Sequence, residues 1–137
     1  MALGTVNDET QYARRVLILR GRFRINGTTT PDEIRDGKSG IVLSVARNSA
    51  GLFTVTLKPS FPIPKQATFS MAALQQAAAP TAYAVAAMVR DTYDPVARTF
   101  QVATRRITGP ATNDPDDNDV VDFTIIGPAI DAFKDPL

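Results

Sequence analysis

The densest run of chemically capable side chains is Asn113-Asp114-Pro115-Asp116-Asp117-Asn118-Asp119, with Asp122 close behind it. Calcium takes about six to eight oxygen ligands, and closely spaced carboxylates supply them. Asp114, Asp116 and Asp119 are the ligands such a site would use. The run departs from the helix-loop-helix calcium pattern, because no Gly stands at its sixth position and no Glu at its twelfth. The competing reading is a solvated acidic turn leading into a final strand, structural or interfacial in role. That second reading is the expectation, and with it neither a metal nor a cofactor.

Paired carboxylates can also run acid–base chemistry on a sugar, and Asp32, Glu33, Asp36, Asp91 and Asp94 are the candidates. A glycosidase needs its two carboxyl groups to face each other across a cleft lined by aromatic rings. The chain has no Trp and only three Tyr, so such a cleft is hard to build. It also has no Cys and no His. This excludes disulfides, Cys/His zinc sites, Ser-His-Asp and Cys-His catalysis and an imidazole pH switch. The expectation is a protein without enzymatic activity.

Arg20, Arg22 and Arg24 recur at a spacing of two and share one face of an extended segment. Arg14 and Arg15 precede them, and Arg105 and Arg106 sit on another segment. No aromatic residues alternate with the ladder to stack bases, as single-strand nucleic-acid binders require. The readings are a solvated sheet face, then a protein interface, and last a contact with nucleic-acid phosphate; the planar guanidinium fork favours carboxylates of a protein partner. The acidic 114–119 run of a neighbouring copy is one natural counterpart. Fifteen basic against fourteen acidic residues give a net charge of +1, which argues against bulk attraction to nucleic acid.

These groups must be positioned by β-structure. Ile41 to Leu57 holds two alternating runs joined by Asn48-Ser49-Ala50-Gly51: Ile41, Leu43 and Val45 on one face, then Phe53, Val55 and Leu57, with Thr54, Thr56 and Lys58 pointing away. Val16 to Ile25 is a strand with Leu17, Leu19, Phe23 and Ile25 on one face. Further strands are expected at Ala67 to Leu74 (Phe69 and Met71 on one face), Tyr83 to Val89 (Tyr83, Val85, Ala87 and Val89 together), Thr99 to Ile107 and Val121 to Ile125. The Ala-rich stretch could be helical by propensity, but the alternation that follows it favours a strand. Pro59, Pro62 and Pro64 mark a crossing or edge connection, and Gly127-Pro128 should stop the last strand.

The fold class expected is all-β: a single antiparallel β-sandwich, jelly-roll-like or immunoglobulin-like, of about seven strands. Its core should hold Leu17, Leu19, Phe23, Leu43, Val45, Phe53, Val55, Phe69, Val85, Phe100, Val102, Phe123 and Ile125. The chain has 137 residues, room for one domain that buries roughly two-thirds of its unfolded surface. Residues 1–13 read as a non-periodic N-terminal arm, 14–127 as the sandwich and 128–137 as a C-terminal tail. No apolar run approaches the ~20 residues that span a bilayer. No basic n-region or h-region opens the chain, so a soluble product is expected.

The run Gly51-Leu52-Phe53-Thr54-Val55-Thr56-Leu57 is followed by an Ala-rich strand, a Phe-x-Val strand, an Asp-rich loop and Val121-Asp122-Phe123-Thr124-Ile125-Ile126-Gly127. With the opening RGRFRINGTTTP, this order resembles small virion proteins of tailed bacteriophages, over roughly Val16 to Gly127. The motifs are strand grammar and carry no chemical signature. The resemblance implies a capsid decoration (cement) protein on the virion exterior, assembled in the host cytoplasm. Its partners would be the major capsid protein and copies of itself, as a homo-oligomer such as a trimer, with no nucleic acid and no membrane. A fibre or tail-tip module that binds a host receptor or glycan is the alternative. Partner contacts are expected at Leu3, Val6, Tyr12 and Phe133 in the arms, on the Arg20/Arg22/Arg24 face and in the 26–40 loop.

Overall fold

The computed structural model describes residues 16–26, 40–76, 83–109, 111–116 and 118–128. Within them the chain forms seven strands and no helix. These are β1 (Val16–Arg24), β2 (Val42–Ser49), β3 (Leu52–Leu57), β4 (Phe69–Gln75), β5 (Ala84–Met88), β6 (Thr99–Arg106) and β7 (Val120–Pro128). One sheet has the order β1-β7-β4 and the other β2-β3-β6-β5, all pairs antiparallel. The all-β sandwich expected from the sequence is therefore the fold observed. Leu3, Val6, Tyr12, Phe133, Asp32, Glu33, Asp36 and most of the 26–40 loop lie outside the described residues.

Period-two alternation builds the centre. β3 buries Phe53, Val55 and Leu57, β6 buries Phe100, Val102 and Thr104, and β7 buries Val121, Phe123 and Ile125. Among the described residues two aromatic contacts join the sheets: Phe23 tilted against Phe53 with ring centres 5.5 Å apart, and Phe100 edge-on to Phe123 at 4.9 Å. Tilted and edge-on geometry avoids the unfavourable face-to-face sandwich of ring quadrupoles, and each ring removes a large apolar area from water. Ile25, Val42 and Ile63 complete this core.

Four expected core residues are placed differently. Leu43 is 48% exposed because β2 is irregular: its register against β3 shifts between Val42 and Ser44. That bulge puts Val42 and Val45, three residues apart, on the buried side and turns Leu43 outward. Phe69 and Val85 are 51% and 42% exposed, since β4 and β5 present their other faces to the core. Ala72, Leu74, Ala86 and Met88 pack inward instead, and Ala84 is buried. Leu17 is only half-buried, near the open end of β1.

The proline-rich segment after β3 does cross from one sheet to the other, as Leu57 ends β3 and Phe69 begins β4 in the opposite layer. Arg98 braces it, donating to the carbonyls of Lys58 (2.8 Å) and Phe61. β7 continues through Gly127 to Pro128 rather than stopping before them, and the Pro128 carbonyl accepts from the Lys65 amide at 2.9 Å. A Cβ on Gly127 would stand 1.8 Å from the Gln66 carbonyl oxygen. Only glycine permits so close an approach of two backbones.

Candidate functional site

The acidic run is a clasp at one end of the sandwich. Arg47, near the end of β2, reaches it with a two-pronged bond: Nε to Asp114 Oδ1 at 3.0 Å and Nη2 to Asp114 Oδ2 at 2.6 Å. The Gly51 amide donates to the same Oδ1 at 2.9 Å. Gly51 is at φ 73° in the turn between β2 and β3, and its carbonyl accepts from the Thr104 amide. Thr104, buried on β6, then accepts from the Asn113 amide through its carbonyl and donates its hydroxyl to the Asn113 carbonyl at 2.7 Å. The loop is thus laced to a strand end and a turn from distant parts of the chain.

Further along, Arg106 Nη2 meets Asp116 Oδ1 at 3.0 Å, and the Asp116 amide donates to Asp119 Oδ2 at 3.1 Å. Asp119 is 1% exposed, and its carbonyl accepts from the Ile25 amide at the end of β1. The acidic run is therefore not a freely solvated turn. The carboxylates of Asp114, Asp116 and Asp119 are engaged by arginines and amides of the same chain. The three residues that a calcium site would use, Asp114, Asp116 and Asp119, each have such a partner. Among the described residues no group of three or more acidic, His or Cys side chains converges as a metal site.

Burial opposes ionisation of Asp114. The Arg47 hydrogen bonds, the Gly51 amide and the Arg47 charge outweigh it and hold the carboxyl below its ordinary range. The same bond to Asp114 raises Arg47, against its own desolvation. Since Asp114 and Asp116 are paired within the chain, they do not stand open as counterparts for the arginine ladder of a neighbour.

That ladder lies on the outer face of the three-stranded sheet. Arg20 and Arg22 are exposed and Arg24 half-buried, its Nε enclosed without a hydrogen-bond partner. Register places Ile18, Ile126 and Phe69 in one cross-strand row, then Arg20, Thr124 and Met71, then Arg22, Asp122 and Ala73. Ile18, Phe69 and Met71 are about half exposed, at 54%, 51% and 50%. Gln75 donates to Asp122 at the polar end. The face grades from apolar to charged along the strands.

Of the acid–base candidates, Asp91 and Asp94 lie among the described residues. Asp94 accepts from the amides of Val96 and Ala97 and shapes its own turn, while Asp91 is exposed beside Arg90. A cavity of about 310 Å³ opens between the start of β4 and the turn after β5, lined by Lys65, Ser70, Arg90, Asp91, Tyr93 and Phe100 among others. Tyr93 donates to the Pro64 carbonyl at 2.5 Å, and burial pushes its hydroxyl up to about 12 against the opposing pull of Arg98.

Sequence reasoning missed Arg47, Thr104 and Tyr93. An isolated arginine late in an apolar strand was the one visible signal for Arg47. No protein-family model, curated protein or solved structure matches the chain.

Proposed function

We propose that this protein is a non-catalytic structural component of a tailed-phage virion, decorating the capsid exterior and bridging capsid subunits. The observation that carries the reading is the outer face of the three-stranded sheet, where Ile18, Phe69 and Met71 lie beside Arg20 and Arg22. Arginine, aromatic residues and methionine are enriched at protein interfaces. The order of strand motifs resembling phage virion proteins supports the same reading. The partners are the major capsid protein and further copies of this chain. Each copy contributes a modest contact, and lattice repetition turns modest affinities into avidity.

The test adds purified protein to particles that lack it and measures occupancy and heat resistance. Full-length protein should bind, and the R20E/R22E variant should lose at least ~10-fold in affinity, about 1.4 kcal/mol. Removing residues 1–12 should weaken attachment while the sandwich stays folded. If the full-length chain ignores shells but binds host-cell glycans, the fibre-tip alternative is right and this proposal is wrong.

A further inference from the structure

Among the described residues the sandwich has four edge strands, and they are not equally protected. An open edge offers unpaired amides and carbonyls to any passing strand, so folded proteins guard edges with charge, bulges, proline or short length. β1 carries Arg20, Arg22 and Arg24. β2 carries Arg47 and two register shifts against β3. β5 is five residues long, and the Ala84 amide at its start is taken by Gln76 Oε1 at 3.0 Å. β4 has none of these devices. It runs seven residues, FSMAALQ, in unbroken register with β7, with no charge, no proline and no bulge.

Its open edge has a definite chemistry. The Ile126 carbonyl accepts from the Thr68 amide, so the even-numbered residues of β7 face β4. By antiparallel alternation their partners Phe69, Met71, Ala73 and Gln75 bond to β7. The amides and carbonyls of Ser70, Ala72 and Leu74 then point away from β7. Among the described residues no strand pairs with that side.

We propose that β4 is a self-association edge: two copies pair their β4 strands antiparallel about a twofold axis at Ala72, merging their three-stranded sheets. A second copy fits because an isologous edge meets its own reverse. A charge near the axis would face its twin, and β4 and the neighbouring β5 (AVAAM) carry none. Centring on Ala72 engages all three outward-facing residues, with Ser70 opposite Leu74 of the second copy. On the outer face it sets each Met71 against the small Ala73 and each Phe69 against the uncharged Gln75 of the second copy.

Sedimentation equilibrium of the purified full chain at ~100 µM tests this, a concentration that populates a dimer with a Kd of ~10 µM. Wild type should run at twice the chain mass. Ala72→Pro removes an outward amide without touching a bond to β7, and should halve the mass while keeping the β-sheet circular dichroism. Met71→Lys changes only an exposed side chain beside the axis and should also give monomer. Mixing Met71→Lys with Met71→Glu should restore the dimer. A wild-type monomer overturns the proposal, as does a dimer that survives Met71→Lys unchanged. Should Ala72→Pro fail to fold, Met71→Lys decides.

Discussion

Arg47 and Asp114, 67 positions apart in sequence, form a two-pronged ion pair at the end of the sandwich, and the Gly51 amide completes the hold on the carboxylate. The pair links β2, the β2–β3 turn and the segment leading to β7. Asp114→Asn keeps the shape and removes the charge. It should cost ~1–3 kcal/mol in urea unfolding at neutral pH, the usual range for a charge-assisted bond. Arg47→Leu should also destabilise the fold, and the double variant should lose less than the sum of the two, because either change alone breaks the same bond.

The pair also sets an acid limit. The Asp114 carboxyl is held below its ordinary value in the folded chain. Its contribution is therefore complete above the unfolded-state pKa of ~3.9 and is lost as pH falls through the lower folded value. Melting temperature should drop below about pH 4 in the wild type and drop less in Asp114→Asn. Equal acid slopes in the two proteins would show that Asp114 carries none of the effect.

Gly51 tests the same junction through the backbone. It sits at φ 73°, and a Cβ there would lie 2.5 Å from the Asn113 amide nitrogen and 2.6 Å from the Thr104 carbonyl oxygen. Gly51→Ala meets both conformational strain and a backbone clash, so ~2–4 kcal/mol of destabilisation is expected in thermal or urea unfolding. A variant as stable as wild type would mean that the loop does not press against the turn.

What was legible in the sequence follows from packing. Phe53, Val55, Val102, Phe123 and Ile125 lie on central strands buried on one face, where strict alternation writes the fold into the residue types. Edge strands β4 and β5 mix Ala72, Ala84 and Ala86 with Leu74 and Met88 on their inward sides, and Phe69 and Val85 face out and invert the apparent pattern. The bulge in β2 misled in another way, by breaking the count of two at Leu43. The acidic loop drew attention for its carboxylates, but the arginines that neutralise them come from β2 and β6, and no local pattern announces pairs so far apart in sequence.

The inversion of β4 is measurable. Phe123 and Phe53 are each 1% exposed, whereas Phe69 is 51% exposed. Phe123→Ala should cost ~3–5 kcal/mol, comparable to the whole stability of a small domain. Phe69→Ala should stay within about 1 kcal/mol by the same urea measurement. Similar losses at both positions would place Phe69 in the core.

Tyr93 supplies an alkaline counterpart to Asp114. Its hydroxyl donates to the Pro64 carbonyl, and burial raises its pKa to about 12. An unfolded tyrosine ionises near pH ~10, so between those values the unfolded chain has lost a proton that the folded chain keeps. Stability from this group is fully present below pH ~10 and declines as pH rises through the folded value. Tyr93→Phe removes both the hydrogen bond and the ionisation. It should cost ~1 kcal/mol at neutral pH yet flatten the alkaline decline of the melting temperature. Ultraviolet titration of the wild type should show a tyrosine ionising at about pH 12, and Tyr93→Phe should remove that step. If Tyr93→Phe keeps the full alkaline slope, another group is responsible and the hydroxyl does not bind the proline-rich crossing.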